Sequence, residues 1–202
     1  KKLFPGDIGP FTGEMGTLMY WSGSNTIFKL TLEKIKDDIK KSGYVGYIDI
    51  NCIANTRGVY PLEFTTRFGY PTISVQSEGI LSARGDFLHS IASGIQYDLK
   101  TKRGFQIGII CAVPPFPYED KSEMGIYKDL SIIFKKQNLD GVHLGDIKLI
   151  EGDWRIAGET GYALVVTGSG STVDDARKQA YGRIENIILQ NMFYRTDIGL
   201  KW

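Results

Sequence analysis

A pair of strand patterns joined by a short turn constrains the fold of this chain more than any other segment. Residues 44–53 and 59–65 both interleave apolar with polar residues, and residues 55–58 between them read Asn-Thr-Arg-Gly. Alternation with a period of two on either side of a turn that contains Asn and Gly is typical of a β-hairpin. The sequence therefore predicts an antiparallel pair of strands in this part of the chain.

The polar side chains of this hairpin are spaced so that they meet on one face. Glu63, Thr65 and Arg67 follow one another at intervals of two residues, and such side chains point to the same side of a strand. Asp49 and Asn51 share a face of the first strand, which antiparallel pairing would turn towards the polar face of the second. Oxygen ligands suit a divalent cation and a guanidinium suits phosphate, so the pattern predicts a metal and phosphate site. A solvated polar strand face is the alternative interpretation.

A glycine-dense segment near the start of the chain is a second candidate for binding an anion. Residues 9–16 read Gly-Pro-Phe-Thr-Gly-Glu-Met-Gly, and glycine lets backbone N–H groups approach a phosphate closely. The segment lacks the Lys-Ser/Thr pair of a P-loop and follows no predicted strand. On glycine content alone a structural turn is the favoured interpretation, and residues 5–23 as a whole are predicted to be loop.

Helical patterns occur on either side of the hairpin. Apolar residues at helical spacing predict one helix from residue 24 or 25 to about residue 41, and a helical region within residues 72–100. Near the other end of the chain, Thr172 and Asp175 form a capping box that opens a helix predicted to run to about residue 190.

The chain changes character near residue 100, where a basic, turn-like stretch separates two units. Residues 1–100 are expected to form one unit that carries the hairpin, and residues 101–202 a β-rich unit closed by the last helix. In the second unit the pattern predicts strands over 105–113, 131–134, 142–150, 154–157 and 162–167. The expected fold class is therefore α+β.

Composition restricts the function mainly by exclusion. The net charge is +1, which argues against a protein that binds nucleic acid through bulk electrostatics, and no apolar run is long enough to cross a membrane. The cysteines, Cys52 and Cys111, lie in apolar strand patterns and are expected to be buried thiols, which fits a reducing cytoplasm. Arg195 and Asp197 are two residues apart, and we expect their ion pair to tether the C-terminal tail.

Four segments, in order along the chain, resemble motifs of the phosphoribosylamine–glycine ligase (glycinamide ribonucleotide synthetase) family of ATP-grasp enzymes. Residues 9–16 are similar to the family's GPNTGGMG loop, and residues 62–71 to its EFNxRFGDPE segment. Residues 161–181 resemble its strand, glycine turn and helix, and residues 194–199 resemble its terminal YRxDIG. No single segment is specific for the family, but their order and spacing together are.

The resemblance implies a fold and an activity. The chain would be the C-terminal part of an ATP-grasp domain followed by a small β-rich domain, barrel-like or hybrid-motif-like, with a C-terminal helix. The family joins glycine to 5-phosphoribosylamine in de novo purine biosynthesis, by way of an acyl phosphate. ATP is its co-substrate and Mg²⁺ or Mn²⁺ its cofactor.

The resemblance also implies that part of the enzyme lies outside these residues. The family's N-terminal domain and its first ATP-grasp lobe are absent here, and the chain starts at Lys1 rather than Met. We therefore expect a fragment that is inactive alone. Its expected partners are ATP, glycine, phosphoribosylamine and the missing N-terminal part, in the cytoplasm, with neither nucleic acid nor a membrane.

Individual residues acquire roles from the same resemblance. Glu63 matches the family's metal-binding Glu, Thr65 stands where the family has its second ligand, an Asn, and Arg67 matches an Arg that would act on phosphate in catalysis. Asp49 or Asn51 on the neighbouring strand is the candidate to replace the ligand lost at position 65. The glycine loop would bind substrate or phosphate through Gly9, Thr12, Gly13, Met15 and Gly16.

Several positions depart from the family's motifs. Tyr70 and Thr72 stand in place of an Asp and a Glu. In the glycine loop, Phe11 replaces an Asn and Glu14 replaces a Gly. These changes leave open whether the acid substrate is glycine. A divergent ATP-grasp ligase for another acid or amine, and a binding module without catalysis, are the alternatives.

Overall fold

The computed structural model describes residues 1–118 and 125–201, which form an α+β chain. The helices in those ranges are α1 (Thr26–Leu30), α2 (Leu32–Lys41), α3 (Thr72–Gly79), α4 (Arg84–Ser93) and α5 (Val173–Ile184). The strands there are β1 (Lys2–Phe4), β2 (Ile8–Phe11), β3 (Gly16–Tyr20), β4 (Asp49–Asn55), β5 (Gly58–Thr65), β6 (Phe105–Ala112), β7 (Ser131–Phe134), β8 (Val142–Leu144), β9 (Ile147–Ile150), β10 (Asp153–Ile156), β11 (Tyr162–Gly170) and β12 (Ile187–Leu189). None of the described helices has the length and hydrophobicity needed to cross a bilayer.

A four-stranded antiparallel sheet in the order β3-β6-β11-β8 forms the centre of the molecule. Strands β6 and β11 are buried along most of their length, and their nearly continuous apolar sequences are typical of strands covered on both faces. Helix α3 packs against one face at Gly108, and α5 packs against the other at Gly168. The protein core therefore lies on both sides of this sheet.

A second antiparallel sheet, in the order β12-β7-β10-β9, packs on the α5 side of the central sheet. Its inward side chains, including Ile132 and Leu189, share one buried cluster with Leu164 and Ile184. Both sheets are open within the described residues, because β3 and β8 are the edges of one and β12 and β9 the edges of the other. The α+β class is as predicted, whereas the barrel-like closure expected of the second unit is not formed in those ranges.

The glycine-rich start of the chain contains more strand than the sequence predicts. Residues 5–23 are predicted to be loop, yet they contain β2 and β3. Strand β3 pairs with β6, with Gly16 opposite Ile109. A local pattern cannot reveal this pairing, because the partner strand is distant in sequence. Strand β3 and helix α3 precede residue 100, and both contact β6, which follows it. The division of the chain into two units near residue 100 stays a prediction.

Several predicted elements are divided or shortened in the structure. The first helix breaks at Thr31, whose φ of −125° and ψ of −93° are not helical, and residues 72–100 contain two helices, α3 and α4. The strand predicted over residues 142–150 is divided into β8 and β9. Helix α5 ends at Ile184, short of its predicted end, because Ile187–Leu189 pair with β7 instead.

The carboxylate of Glu78 is buried where α3 meets the central sheet. Its Oε1 accepts hydrogen bonds from Lys102 Nζ at 2.9 Å and from Ser169 Oγ at 3.0 Å. Its Oε2 accepts from Thr167 Oγ1 at 2.9 Å and from Arg183 Nη1 at 3.1 Å. Burial alone would raise the pKa of Glu78, but the hydrogen bond from Lys102 and the charge of Arg183 outweigh burial and lower it. The ionised carboxylate therefore ties α3 to both β11 and α5.

Replacing Glu78 with Gln removes the charge that holds these groups together. Because Glu78 is only 8% exposed, we expect Glu78→Gln to lower the free energy of unfolding by about 3 kcal/mol. Chemical denaturation of the protein and the variant measures the loss. The exposed control Glu33→Gln should change stability by less than about 0.5 kcal/mol. Equal losses in the two variants would contradict the role assigned to Glu78.

The C-terminal tail is fixed to the start of the chain by a second charged cluster. Arg195 is buried and donates to both carboxylate oxygens of Asp197, from Nε to Oδ1 at 2.7 Å and from Nη2 to Oδ2 at 2.6 Å. It also donates to Asp7 Oδ1 at 3.1 Å and to the Lys2 carbonyl oxygen at 2.9 Å. The ion pair expected from the sequence is therefore present, and it tethers the tail to β1.

This ion pair makes stability depend on pH in acid. The hydrogen bond from Arg195 lowers the pKa of Asp197 from 3.8 to about 2. A carboxylate whose pKa is lower in the folded state stabilises it above the ordinary pKa, and that contribution is lost as the pH falls through the folded value. The stability difference between the protein and Asp197→Asn should therefore be roughly 2 kcal/mol near neutral pH. Urea unfolding should show it shrink between about pH 4 and about pH 2, and a difference independent of pH would contradict this assignment.

Candidate functional site

The hairpin formed by β4 and β5 carries four oxygen-bearing side chains on one face. In its antiparallel register Asp49 lies opposite Thr65. The next pair on that face is Asn51 and Glu63, and Asn51 Nδ2 donates to Glu63 Oε1 at 3.1 Å. Directly opposite residues of an antiparallel pair point to the same side. The structure thus brings together the four side chains that the sequence placed at a metal site.

A cavity of about 640 Å³ opens against this face of the hairpin. Arg67, which follows the end of β5, lines it together with the four hairpin side chains. Gly13 and Glu14 of the glycine segment form a second part of the wall. The third part is an aromatic wall formed by Tyr70, Phe116 and Tyr162, and the ring of Phe68 also lines the cavity. The cavity therefore combines carboxylates, a guanidinium group and aromatic rings.

Four of the five glycine-segment residues predicted to bind substrate or phosphate do not line this cavity. Gly9 lies in β2, and the Thr12 hydroxyl donates to the Lys1 carbonyl oxygen at 2.9 Å. The Met15 side chain is fully buried, and Gly16 begins β3 against β6. Of the five, Gly13 alone reaches the cavity. A binding role for the set stays a prediction.

Glu14 brings a carboxylate from the glycine segment to the cavity. Its Oε1 accepts hydrogen bonds from the backbone N–H groups of Met15 at 3.2 Å and Gly16 at 3.1 Å. Lys1 Nζ lies 2.8 Å from the same oxygen, in an ion pair whose side chains are 41% and 26% exposed. Ion pairs as accessible to water as this one stabilise a protein little. The backbone, more than the lysine, therefore fixes where this carboxylate lies.

The aromatic wall is held together by ring contacts. The ring centroids of Tyr70 and Tyr162 are 5.1 Å apart, and those of Phe116 and Tyr162 are 5.7 Å apart. Burial, with smaller effects from Tyr70 and then Glu14, raises the pKa of Tyr162 above its ordinary range, and burial also raises the pKa of Tyr70. Both hydroxyls are therefore protonated at neutral pH and can donate hydrogen bonds.

Sequence reasoning did not predict that Glu14 or the aromatic residues Tyr70, Phe116 and Tyr162 contribute to the site. Glu14 stood out only as a departure from a glycine motif. Such a departure shows that the residue differs, but it does not show where the side chain lies or what it contacts. Tyr162 is the first residue of a predicted strand, and nothing local distinguishes it. It reaches the cavity because β11 pairs with β6, and that pairing is a property of the tertiary structure.

The donors on the hairpin face fit magnesium or manganese better than zinc. Carboxylate, amide and hydroxyl oxygens are hard ligands, and Mg²⁺ is usually held by one or two carboxylates together with phosphates and water. In the part of the chain that the structure describes, no group of three or more His, Cys, Asp or Glu side chains could hold a metal by itself. A cation at this face would therefore need oxygens besides those of the carboxylates, which the Asn51 amide, the Thr65 hydroxyl, water or a bound phosphate can supply.

Comparison with known proteins identifies relatives of this chain. Residues 106–201 match the family model described as phosphoribosylglycinamide synthetase, C domain. Over 98% of its length the chain is 27% identical to the phosphoribosylamine–glycine ligase of Clostridium acetobutylicum, and over 99% it is 28% identical to that of Thermotoga maritima. The chain resembles the C-terminal portion of these ligases. The resemblance inferred from the four motifs is therefore confirmed, and the chain spans about half the length of these relatives, 48% and 49%.

Solved structures of a phosphoribosylamine–glycine ligase and of a biotin carboxylase share the fold. The crystal structure of the Thermotoga maritima ligase matches with a TM-score of 0.70 at 24% identity, covering 98% of this chain and 49% of that one. The biotin carboxylase domain of a thermophilic 2-oxoglutarate carboxylase, bound to bicarbonate, matches with a TM-score of 0.57 at 11% identity, covering 89% and 41%. The predicted C-terminal part of an ATP-grasp fold is confirmed by these likenesses.

Two glycines of the ligase-like glycine segment differ in what a side chain would meet. Gly16 has a φ of +149°, and a Cβ there would lie 2.7 Å from the Gly108 carbonyl oxygen, whereas nothing lies within 4 Å of a Cβ at Gly13. We expect Gly16→Ala to lower the free energy of unfolding by at least about 2 kcal/mol, and Gly13→Ala by less than about 0.5 kcal/mol. Chemical denaturation of both variants measures this. Similar values for the two would mean that Gly16 is not required for packing.

Proposed function

We propose that the protein containing this chain is an ATP-grasp ligase that joins glycine to 5-phosphoribosylamine in purine biosynthesis. One observation carries the proposal. The motif positions shared with the phosphoribosylamine–glycine ligases, Glu63 and Arg67, line a single cavity together with three further oxygen-bearing side chains of the hairpin. A strand face that is polar only because it contacts water would not be expected to line a cavity together with Arg67 and the glycine segment.

The proposed reaction has two steps, each of which balances without a protein nucleophile. A carboxylate oxygen of glycine attacks the γ-phosphorus of ATP, which forms an acyl phosphate and releases ADP. The amine of phosphoribosylamine then attacks the acyl carbon, the C–O bond to phosphate breaks, and inorganic phosphate leaves with the formation of an amide. The protein is required to hold the reactants in place and to stabilise negative charge.

The residues of this chain can meet those requirements. The Arg67 guanidinium would bind phosphate oxygens and stabilise charge that develops on them during transfer. Mg²⁺, held through oxygens of Glu63 and Asp49 with Asn51 and Thr65 beside them, would supply positive charge next to the phosphates. The buried thiol of Cys111, whose pKa is raised by burial, is not placed to act as a nucleophile.

The opposite face of the hairpin supports the participation of a further part of the protein. Phe64 alternates with Glu63 and Thr65, points away from them and is 52% exposed, and the nearby Leu62, at a register shift of the hairpin, is 62% exposed. In the part of the chain described, β4 and β5 form a sheet of only two strands, and such a hairpin is marginally stable alone. Because the relatives are about twice as long as this chain, we propose that their additional N-terminal half covers this face and completes the ATP site.

The function is tested by the formation of ADP by the intact protein with Mg²⁺, ATP and 5-phosphoribosylamine, with and without glycine. ADP should be released only with glycine present. Glu63→Gln should lower kcat/KM for this reaction by at least about 100-fold, because it removes a charged metal ligand. The exposed control Glu33→Gln should leave it unchanged, and release of ADP without glycine, or none at all, would overturn the proposal.

A second candidate is a divergent ATP-grasp ligase for another acid or amine. The observation that favours it is the position of Tyr70 and Thr72, both of which line the cavity where the motif of the ligases has an Asp and a Glu. ADP release with a different carboxylic acid in place of glycine would identify such an enzyme. A binding module without catalysis is the third candidate, and it would bind ligands without releasing ADP in the same assays.

A further inference from the structure

Three departures from the ligase motifs meet in one cavity. Tyr70 and Thr72 remove two carboxylates from the loop after β5, and Glu14 adds one to the glycine segment. All three residues line the cavity that contains Glu63 and Arg67. Relative to the ligase motifs, two carboxylates are lost from one part of the cavity wall and one is gained on another, so the negative charge both falls by one and changes position.

The Glu14 carboxylate is held so that it can accept a further partner. Its Oε1 takes the backbone hydrogen bonds of Met15 and Gly16 and the ion pair with Lys1. Within the described ranges, none of these contacts involves its Oε2. The lysine contact is partly exposed to water, so a second cation can replace or share it at little cost.

The neighbouring aromatic wall also favours a cation. Tyr70 and Tyr162 line the same cavity, with their ring centroids 5.1 Å apart. The faces of aromatic rings attract ammonium groups, and the attraction is stronger where water is partly excluded. A carboxylate beside tyrosine rings can therefore bind an ammonium group through charge attraction and cation–π contacts.

An amino acid substrate needs two kinds of contact at separate places. Its carboxylate must lie beside the phosphates, where Arg67 and the hairpin face supply positive charge and metal ligands. Its ammonium group carries the opposite charge and is repelled from a guanidinium. We propose that Glu14 binds the ammonium group of the amino acid substrate and is a specificity-determining residue of this site. This inference rests on the function proposed above.

Glu14→Gln tests this role with little change in structure. The amide oxygen of Gln can still accept from the Met15 and Gly16 N–H groups, so the variant removes charge and keeps the local hydrogen bonds. In the intact protein we expect the KM for glycine to rise about tenfold, while kcat and the KM for ATP change less than about twofold. Replacing a residue that only supports the fold would not raise the KM for glycine while leaving kcat and the KM for ATP unchanged.

Glycolate supplies an internal control, because a hydroxyl replaces its ammonium group. The wild-type protein should prefer glycine over glycolate, and Glu14→Gln should reduce the ratio of their kcat/KM values about tenfold by acting on glycine alone. Equal changes with both acids, an unchanged KM for glycine, or a parallel rise in the KM for ATP would each overturn the inference. The exposed Glu33→Gln variant should match the wild type throughout.

A second variant and a binding measurement keep the inference testable if Glu14→Gln does not fold or if the protein shows no activity. If Glu14→Gln does not fold, Glu14→Gly replaces it, because this is the residue that the ligase motif carries at that position, and the same outcomes apply. If the wild type releases no ADP with glycine, the proposed function fails, and calorimetric titration with glycine tests recognition separately. Binding that Glu14→Gln weakens would support the inference, whereas equal or absent binding in both proteins would overturn it.

Discussion

The buried carboxylate of Glu78 is the interaction on which the geometry of this protein depends. It lies on α3 and accepts hydrogen bonds from Lys102, Thr167 and Arg183, which belong to the segment before β6, to β11 and to α5. A buried charge is stable only when its partners are in place, so this cluster holds α3 in its position against β11 and α5. Because α3 begins at Thr72, fixing the helix also fixes the loop before it, and with it the contact of Tyr70 with Tyr162.

A second constraint draws the glycine segment to the same place. Gly16 opens β3 opposite Ile109 of β6, in a contact too close for any side chain larger than hydrogen. Because of this pairing, Gly13 and Glu14, which come just before β3, line the cavity together with the loop that precedes α3. The cavity is therefore assembled from three parts of the chain by two packing constraints, neither of which involves the hairpin that carries the proposed metal ligands.

Charge in the cavity is divided between two parts of its wall. Under the proposed function, phosphate, carboxylate and metal would be bound at the hairpin face and Arg67, where hard oxygens and a guanidinium line the same cavity. The wall formed by Glu14 and the tyrosines has the opposite character. A zwitterionic substrate placed between them would be oriented by its own two charges. A simple carboxylic acid lacks the ammonium group and would make only one of the two contacts, so the site would favour an amino acid.

Features encoded by neighbouring residues could be predicted from the sequence alone. The hairpin follows from period-two alternation around a turn, the start of α5 from the reciprocal bonds of Thr172 and Asp175, and the tail ion pair from charges two residues apart. In each case the partners are close in the chain, so the pattern contains the physical cause. The resemblance to the ligases came from motifs of the same local kind.

Only the tertiary structure decided the features that depend on distant partners. Strand β3 was hidden in a glycine-rich segment because its hydrogen bonds are made by β6, and α5 stops at Ile184 because the following residues pair with β7. The same applies to the site, since which glycine-segment residues face the cavity and which are buried is settled by the packing of β3. Sequence thus determined the chemistry that was available, and long-range packing determined which groups meet.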